Sequence, residues 1–304
     1  MKNYQGKWLH EPQDVLFEVE NSVATITLNR PEKRNALSPS MLREMHDAMM
    51  EADDRTDVNA IILAGAGKDF CAGYDLAGTY AGRRAEETKS EAPQIAYRST
   101  IKCFDDDAWN IEQQQKHTTI MFDLHKPVIA CIQGNCLAGG SDLAFHCDLV
   151  IAADDAKIGF PATRANGCPP NQMWVYHMGP QWTKRLLFTG DTLSGADAAK
   201  VGLVLESVPA DTLVKHVTEL ANRVAAVDSE LLSAHKRIIN LALEQMGAKT
   251  LQRLAGENDA RAHLSQGPRR TKFKTDMADD GLKTALKNRD APFGDGRVHI
   301  RRSV

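Results

Sequence analysis

The stretch KPVIACIQGNCLAGGSDLAFHCDLVIAADDAKIGFP, residues 126–161, contains the pattern that decides the fold. KPVIACIQGN and CDLVIAA are apolar runs of the length expected for strands buried on both faces. Between them, two glycines lead into Ser141, Asp142 and an apolar pair, a layout typical of a loop that becomes a short helix. Strand, helix and strand in this order predict α/β layering.

The segment before this stretch predicts a hairpin followed by a helix. VLFEVENSVATITLNRP reads as two strands joined by a turn at Glu20, Asn21 and Ser22. Ser38 before Pro39 has the form of a helix N-cap with proline at the first helical position. The face of that helix expected to enter the core carries Met41, Leu42, Met45 and Met49. VNAIILAGAG then predicts another buried strand.

The rest of the chain divides into a polar insertion and a helical region. Residues 81–110 are charged and poorly periodic, which predicts an exposed excursion, either a plain surface insertion or a lid. NQMWVYHMG and QWTKRLLFTG predict successive helices that each end on a glycine. From Pro209 onward the pattern is purely helical. We therefore expect a core at residues 1–208 and a helical region at residues 209–304.

Composition argues against several classes of function. The 37 basic and 40 acidic residues nearly cancel and form no basic block, which argues against a nucleic-acid or membrane surface. No stretch approaches the roughly 18 apolar residues of a membrane span, and the first residues do not resemble a signal peptide. We expect a cytoplasmic protein with a small-molecule partner. Reduced, buried thiols are expected at Cys71, Cys103, Cys131, Cys136, Cys147 and Cys168.

Two glycine motifs, FCAGYDL and CLAGGSDLA, each follow an apolar strand. Glycine lets the backbone come close to a ligand, and amides at the start of a helix carry partial positive charge. Two such amides, held in place by the strands, can bind an oxyanion, and each donor then contributes about 3 kcal/mol. Ordinary tight turns are the alternative, because short glycine motifs often occur by chance.

Five motifs extend this interpretation: LNRPEKRNAL, GAGKDFCAGYDL, the stretch 126–161, RLLFTGDTLSGADAAKVGLV and DGLKTALKNRDAPF. Their order and spacing resemble the enoyl-CoA hydratase/isomerase (crotonase) superfamily over roughly residues 14–293. The resemblance implies an α/β, crotonase-like (ClpP/crotonase) core of stacked ββα repeats with a C-terminal helical trimerisation region. It also implies a homotrimer or a hexamer built as a dimer of trimers.

The resemblance further implies an acyl-CoA thioester substrate, with coenzyme A as part of that substrate and no other cofactor or metal. Its thioester oxygen would be held by the backbone amides of Tyr74 and Gly139. Residues expected to contact coenzyme A or the acyl group are Lys33, Arg34, Ala36, Ala72, Asp75, Leu76, Gly140, Pro161 and Ala162. For Lys33 and Arg34, solvated surface charges are the alternative.

The chain departs from the family at its acid/base residues. Hydratases of this family use two glutamates, and the matching positions here are Asp142 and Ala162. Alanine removes one acid/base partner, and aspartate is one methylene shorter than glutamate. Asp142 in an apolar pocket, with a raised pKa, is the best acid/base candidate, and capping or bracing of its helix is the alternative. The side chains considered as substitutes are Arg164, Asn166, Cys168, Asn171 and His177, of which His177, like His146, is expected to be a packing residue.

These features predict an enzyme that stabilises the enolate of an acyl-CoA thioester. Enoyl-CoA hydratase is the expected activity, with isomerisation as single-base chemistry. Loss of one of two acid/base groups commonly costs on the order of 10² to 10⁴ in rate, so slow hydration is compatible with the sequence. The alternatives are a catalytically silent acyl-CoA binding protein, a thioester hydrolase or a decarboxylase.

Overall fold

A computed structural model describes residues 4–76, 97–98 and 103–300 of the chain. The strands are β1 (Val15–Glu20), β2 (Val23–Leu28), β3 (Ala60–Gly65), β4 (Val128–Ile132), β5 (Asn135–Leu137), β6 (Leu149–Ala153), β7 (Lys157–Gly159), β8 (Thr192–Ser194) and β9 (Glu206–Val208). The helices of the core are α1 (Pro39–Asp54), α2 (Phe104–Thr118), α3 (Ile120–Asp123), α4 (Gly139–Ala144), α5 (Trp174–Thr189) and α6 (Gly195–Lys200). Those after the core are α7 (Leu213–Ala225), α8 (Ser229–Gln245), α9 (Ala248–His263), α10 (Pro268–Asp279) and α11 (Gly281–Asp290). Short 3₁₀ helices cover Pro31–Lys33, Pro161–Arg164 and Ala291–Phe293.

The strands form two sheets. The larger one has the order β1-β2-β3-β4-β6-β9, in which the β1–β2 hairpin is antiparallel and every later pair is parallel. The smaller one has the order β5-β7-β8. Single bridges extend this smaller sheet, because Cys71 pairs with Cys136 of β5 and Tyr74 pairs with Leu37. Successive turns of the chain therefore contribute one strand to the large sheet and one segment to the small sheet.

This stacking confirms the predicted layered α/β core, and the local signals account for much of it. The hairpin turns at Asn21 and Ser22, which both adopt positive φ, as a tight two-residue turn requires. Ser38 caps α1, because its side chain accepts a hydrogen bond from the amide of Met41. The methionine face of α1 is fully buried in the core, as expected.

The prediction for residues 81–110 is wrong in its last part. Residues 77–96 and 99–102 lie outside the described part of the chain, but α2 begins at Phe104. Its acidic residues at 105–107 occupy the first helical turn, where they interact favourably with the helix dipole. Asp107 is buried there and paired with His263 of α9. A charged run therefore marked a helix start rather than an exposed loop.

Downstream of the sheets, the described chain is mainly helical from Leu213 to Asp290, as the sequence predicted. The prediction of a purely helical end is wrong for residues 294–300, where Arg297 pairs with Thr192 of β8. The two helices expected after residue 170 form α5, which is broken at Gly179 and Pro180. Among the cysteines, Cys103 is exposed and Cys168 is partly exposed, so burial of all six thiols was wrong. No helix in the described ranges combines the length and apolar character that crossing a membrane requires.

Candidate active site

The segment 71–75 carries the first candidate oxyanion donor. It runs between Leu37 on one side and β5 on the other. Leu37 donates to the carbonyl of Gly73 and accepts from the amide of Asp75, at 2.8 and 3.0 Å. In a parallel pairing of this kind, the N–H of the residue between those two groups points to the opposite side. The amide of Tyr74 therefore faces away from Leu37, toward the segment that contains Gly139.

The second candidate donor lies at the start of α4. Ala138 has φ 48° and ψ −117°, a conformation that costs energy in a residue with a side chain and is typical of functional sites. Gly139 follows as the first residue of α4, where an amide has no partner within the helix. Within the described residues, neither the amide of Tyr74 nor that of Gly139 donates a hydrogen bond. A Cβ added to Gly73 would lie 3.4 Å from the Gly139 nitrogen, so the two segments are in close contact.

A cavity of about 510 Å³ opens beside the segment that carries Tyr74. This volume is within the range of small-molecule sites. The side chains that cover Gly139, those of Leu37 and Tyr74, also line the cavity. The opposite walls come from α2, the loop at 165–170, α9 and α10. The cavity therefore reaches Tyr74 from the direction of the helical region, whereas Gly139 is buried beneath the Leu37 and Tyr74 side chains and does not line it.

Asp142 lies directly behind Tyr74 in α4. The Tyr74 hydroxyl donates a hydrogen bond to Oδ2 of Asp142 at 3.0 Å. Asp142 is 1% exposed, and among the described residues its Oδ1 has no hydrogen-bond partner. Tyr74 lines the cavity whereas Asp142 does not. A proton moving between Asp142 and a bound ligand would therefore pass through the Tyr74 hydroxyl.

Burial strongly favours the neutral forms of both groups. Desolvation raises the pKa of Asp142 well above its ordinary range, and the hydrogen bond from Tyr74 opposes this only in part. The pKa of Tyr74 is also raised well above its ordinary range, by burial and then by the charge of Asp142. Groups with such displaced pKa values are typical of acid/base sites.

The alternative role of Asp142 as a cap does not match its position. Ala138 occupies the N-cap of α4, and its side chain makes no capping hydrogen bond. The carboxylate instead braces the loop that carries Tyr74. Bracing and proton transfer use the same hydrogen bond, so these two roles are compatible.

Asp142→Asn is expected to change how stability depends on pH. The folded-state pKa of Asp142 lies above its ordinary value of 3.8, so the folded chain binds more protons than the unfolded chain above that pH. Its contribution to stability is greatest below that value and is lost as the pH rises toward the folded-state pKa. The asparagine variant lacks this loss. Its unfolding midpoint, relative to the unmodified chain, should therefore rise between about pH 4 and pH 8 in thermal melts.

Asp197→Asn is the matched control, because hydrogen bonds from Lys200 and Ser194 outweigh burial and lower the pKa of Asp197. That carboxylate contributes its full stability above its ordinary pKa of 3.8, so the unfolding midpoint of its variant, relative to the unmodified chain, should stay level from about pH 5 to pH 8 and rise only as the pH falls below about 4. If the unfolding midpoint of Asp142→Asn differed from that of the unmodified chain by the same amount at every pH, the raised pKa of Asp142 would be contradicted.

The predicted coenzyme A residues fall in two adjoining loops. The amide of Ala72 donates to the carbonyl of Arg34, which joins the loop after β2 to the segment 71–75. Asp75 pairs with Arg30 at 3.0 Å and lies 3.8 Å from the Lys33 ammonium. Arg34 and Lys33 are exposed and do not line the cavity, whereas Leu76 does.

Gly140 has a different environment from these loop residues. It is buried in α4, where it packs against the backbone of Cys71. Pro161 and Ala162 lie on the 3₁₀ helix at Pro161–Arg164, and neither lines the cavity.

The side chains considered as replacements for the missing glutamate mostly have structural contacts. Arg164 pairs with Asp191 and Asp290, and Asn166 accepts from Arg289. Asn171 donates to Thr118. His177 contacts the carbonyl of Phe145 at 3.0 Å, and burial lowers its pKa.

His146 packs in the same part of the core, as predicted. Its Nδ1 lies 2.8 Å from the carbonyl of Asp142, and burial lowers its pKa to about 4. A group that stays neutral and enclosed at neutral pH fits a packing role.

Sequence reasoning missed two features of the cavity. One is the side chain of Tyr74, which was considered only for its amide. The other is a cluster of Asp107, His263 and Asp259 from α2 and α9, all of which line the cavity. An i, i+4 aspartate–histidine pair in NDARAH was a weak signal for this cluster. Asp107, the third member of the cluster, is distant in sequence from Asp259 and His263.

Comparisons with known proteins agree on one family. The sequence model described as Enoyl-CoA hydratase/isomerase matches residues 18–270. A hydroxycinnamoyl-CoA hydratase-lyase of Pseudomonas fluorescens is 30% identical over 292 residues, which are 94% of this chain and 99% of that relative. The structure of an enoyl-CoA hydratase from Mycobacterium smegmatis superposes with a TM-score of 0.82 at 34% identity, covering 93% of this chain and 95% of that one. The structure of an enoyl-CoA hydratase/isomerase from Xanthobacter autotrophicus superposes with a TM-score of 0.81 at 31% identity, covering 92% of this chain and 98% of that one.

Proposed function

This chain belongs to the enoyl-CoA hydratase/isomerase family, and from that premise we propose that it adds water to the double bond of a 2-enoyl-CoA thioester. Its fold is crotonase-like, and enzymes of this family act on acyl-CoA thioesters. We assign the reaction to the cavity that Tyr74 lines. Coenzyme A would enter along Lys33, Arg34 and the segment 72–76.

The two backbone amides would hold the thioester oxygen. When water adds to the β-carbon, the electron pair of the double bond moves to that oxygen and forms an enolate. Donors aimed at the enolate oxygen before reaction stabilise it without reorganisation, each by about 3 kcal/mol. Support comes from the orientation of the Tyr74 amide and from the strained turn at Ala138, which directs the Gly139 amide.

The Tyr74–Asp142 pair would deliver the proton to the α-carbon. Tyr74 is the member that can touch the substrate, because its side chain lines the cavity. Asp142 would position the hydroxyl and replace its proton. The hydrogen bond between them, at 3.0 Å in a buried setting, is the observation that carries this proposal.

The test is an assay of the full chain against a panel of 2-enoyl-CoA thioesters of different chain lengths. Hydration would remove the absorbance of the conjugated thioester and yield a product heavier by one water. A shifted double bond at unchanged mass would indicate isomerisation, and free coenzyme A would indicate hydrolysis. Binding of every thioester without turnover would favour the silent binding protein and overturn the proposal.

A second candidate is hydration followed by cleavage of a carbon–carbon bond. The similarity to a protein named hydroxycinnamoyl-CoA hydratase-lyase, along nearly the whole of both chains, favours including it. The cavity also has polar lining residues suited to a hydroxylated acyl group, including Asn110 and Gln114. An aldehyde product from a hydroxycinnamoyl-CoA in the same panel would identify this reaction.

We also propose that the chain assembles with copies of itself through α8. Lys236 is the buried residue of this helix, whereas several of its apolar side chains are exposed. They are Leu231, Ile238, Ile239 and Leu241. An exposed apolar helix face of this kind marks a protein interface, and the family resemblance implies a trimer.

Ile238→Asp is expected to dissociate the assembly, because Ile238 is 61% exposed on the outer face and a charge there would be buried in the interface. Light scattering coupled to size-exclusion chromatography should show the mass fall from that of a trimer or hexamer to that of one chain. Glu20→Lys, a charge change at the exposed turn of the β1–β2 hairpin, is the control and should leave the mass unchanged. An unmodified chain that is already monomeric would refute the proposal.

A further inference from the structure

A second group of ionisable side chains faces the same cavity as Tyr74. Asp259 and His263 lie one turn apart on α9, and Asp107 reaches them from α2. Nδ1 of His263 is 2.8 Å from Oδ2 of Asp107, and its Nε2 is 3.5 Å from Oδ1 of Asp259. The imidazole thus bridges two carboxylates, an arrangement that fixes both its orientation and its charge.

Asp259 also contacts the loop that follows Ala162. Its Oδ1 accepts the amide of Cys168 at 2.9 Å. A Cβ added to Gly167 would lie 2.3 Å from the same oxygen, so the loop packs closely on the carboxylate. Oδ2 takes no hydrogen bond from any described residue, which leaves it available to a molecule in the cavity. Asp259 therefore places a carboxylate beside the loop that follows the 3₁₀ helix on which Ala162 lies.

Building on the proposed hydration, we propose that Asp259 replaces the missing second carboxylate and acts as the general base that activates water, with His263 and Asp107 as positioning residues. The support is geometric: Asp259 and Tyr74 line one cavity, and the contacts with His263 and with the amide of Cys168 hold the Asp259 carboxylate in place there. A base and an acid on different walls of a cavity are what addition of water across a double bond requires.

Hydration by these groups needs water as its only second reactant. Oδ2 of Asp259 takes one proton from water while the water oxygen bonds to the β-carbon, and the electron pair of the double bond moves to the thioester oxygen. The enolate then collapses, and its α-carbon takes a proton from the Tyr74–Asp142 pair. Asp259 releases its proton to solvent and the pair regains one from solvent, so the net change is addition of one water.

The charge state of Asp259 suits this role. Burial raises its pKa to about 6, and the positive charge of His263 limits the rise. Burial alone would lower the pKa of His263, but its hydrogen bond to Asp107 and the charge of Asp259 raise it. A base with a pKa near the working pH transfers protons efficiently. The ionisable or charged groups facing Asp259 are His263, Asp107, Arg270, Cys168, Tyr74 and Asp142.

The test is Asp259→Asn, assayed with the 2-enoyl-CoA that the unmodified chain hydrates best. We expect kcat to fall about 10²-fold with little change in KM. For the unmodified chain, the rate should fall as the pH drops below about 6, because Asp259 becomes protonated. The residual activity of the variant should not show this fall in rate at acidic pH. A rise in KM with unchanged kcat would show that Asp259 only binds the acyl group and would overturn the inference.

His263→Gln gives an independent readout that does not depend on losing the carboxylate. Removing the positive charge of His263 raises the pKa of Asp259, so the rate should begin to fall at a higher pH than in the unmodified chain. Asp259→Ala with added formate should regain activity if a carboxylate is needed at that place. If His263→Gln had the same pH dependence as the unmodified chain and formate restored no activity to Asp259→Ala, the inference would be overturned.

Failure of this inference is distinguishable from failure of the proposed function. If Asp259→Asn retains kcat within a few-fold while Asp142→Asn loses it, hydration stands and the assignment of Asp259 falls. If the unmodified chain hydrates no thioester, the proposed function falls, and the assignment of Asp259 falls with it.

Discussion

Replacing Asp142 by asparagine is expected to lower kcat for enoyl-CoA hydration on the order of 10³-fold while leaving KM nearly unchanged. The asparagine has the same shape and can still accept the hydrogen bond from Tyr74, but it cannot supply or take a proton. Because Asp142 is 1% exposed and lies behind Tyr74, its replacement touches no part of the cavity surface. Steady-state kinetics over a range of substrate concentrations separate the two parameters.

Tyr74→Phe should lose a similar factor, because phenylalanine keeps the ring over Gly139 and the backbone amide but removes the hydroxyl. If the two residues act as one unit, the double variant should be no slower than the slower single variant. Asp197→Asn, a carboxylate change on α6, should leave kcat unchanged. Additive losses in the double variant would mean that Asp142 acts without Tyr74.

The fold was predictable where short-range signals dominate. The hairpin, the capped α1 and the strands β3, β4 and β6 follow from apolar runs bounded by turn and cap residues. The small sheet was not predictable in this way, because β5, β7 and β8 have three residues each and such segments show no periodicity. Their pairing depends on distant parts of the chain, as the bridge between Cys71 and Cys136 illustrates.

The candidate site, like the fold, was predictable only where local sequence determines it. The positions of Tyr74 and Gly139 came from glycine motifs and family resemblance, which identify backbone features that depend on local sequence. The contact between Tyr74 and Asp142 depends on how a loop packs against α4, and no local pattern reports it. Asp259 reaches the cavity from a helix of the C-terminal region, so its relevance depends on tertiary packing alone.

The close approach at Gly140 leads to the second large expected effect. A Cβ at this position would lie 2.5 Å from the backbone oxygen of Cys71, closer than any relaxed contact, and 2.9 Å from the Cys71 Cβ. The same oxygen accepts the amide of Leu137 at 3.0 Å, which joins the segment 71–75 to β5. An added methyl group must therefore separate the two segments that carry the amides of Tyr74 and Gly139.

Gly140→Ala is accordingly expected to reduce the free energy of unfolding by about 3 kcal/mol and to lower kcat as well, because overpacking in a rigid core displaces backbone. Denaturant unfolding and kinetics on the same preparation measure both effects. Gly267→Ala is the matched control, because its added Cβ would meet nothing closer than 3.7 Å. It should cost no more than about 1 kcal/mol, the effect of alanine at the N-cap of α10, and leave kcat intact. If Gly140→Ala unfolded at the same midpoint as the unmodified chain with full activity, the two amide-bearing segments would not be held in place by this contact, and the rigid placement of the oxyanion donors would have to come from elsewhere.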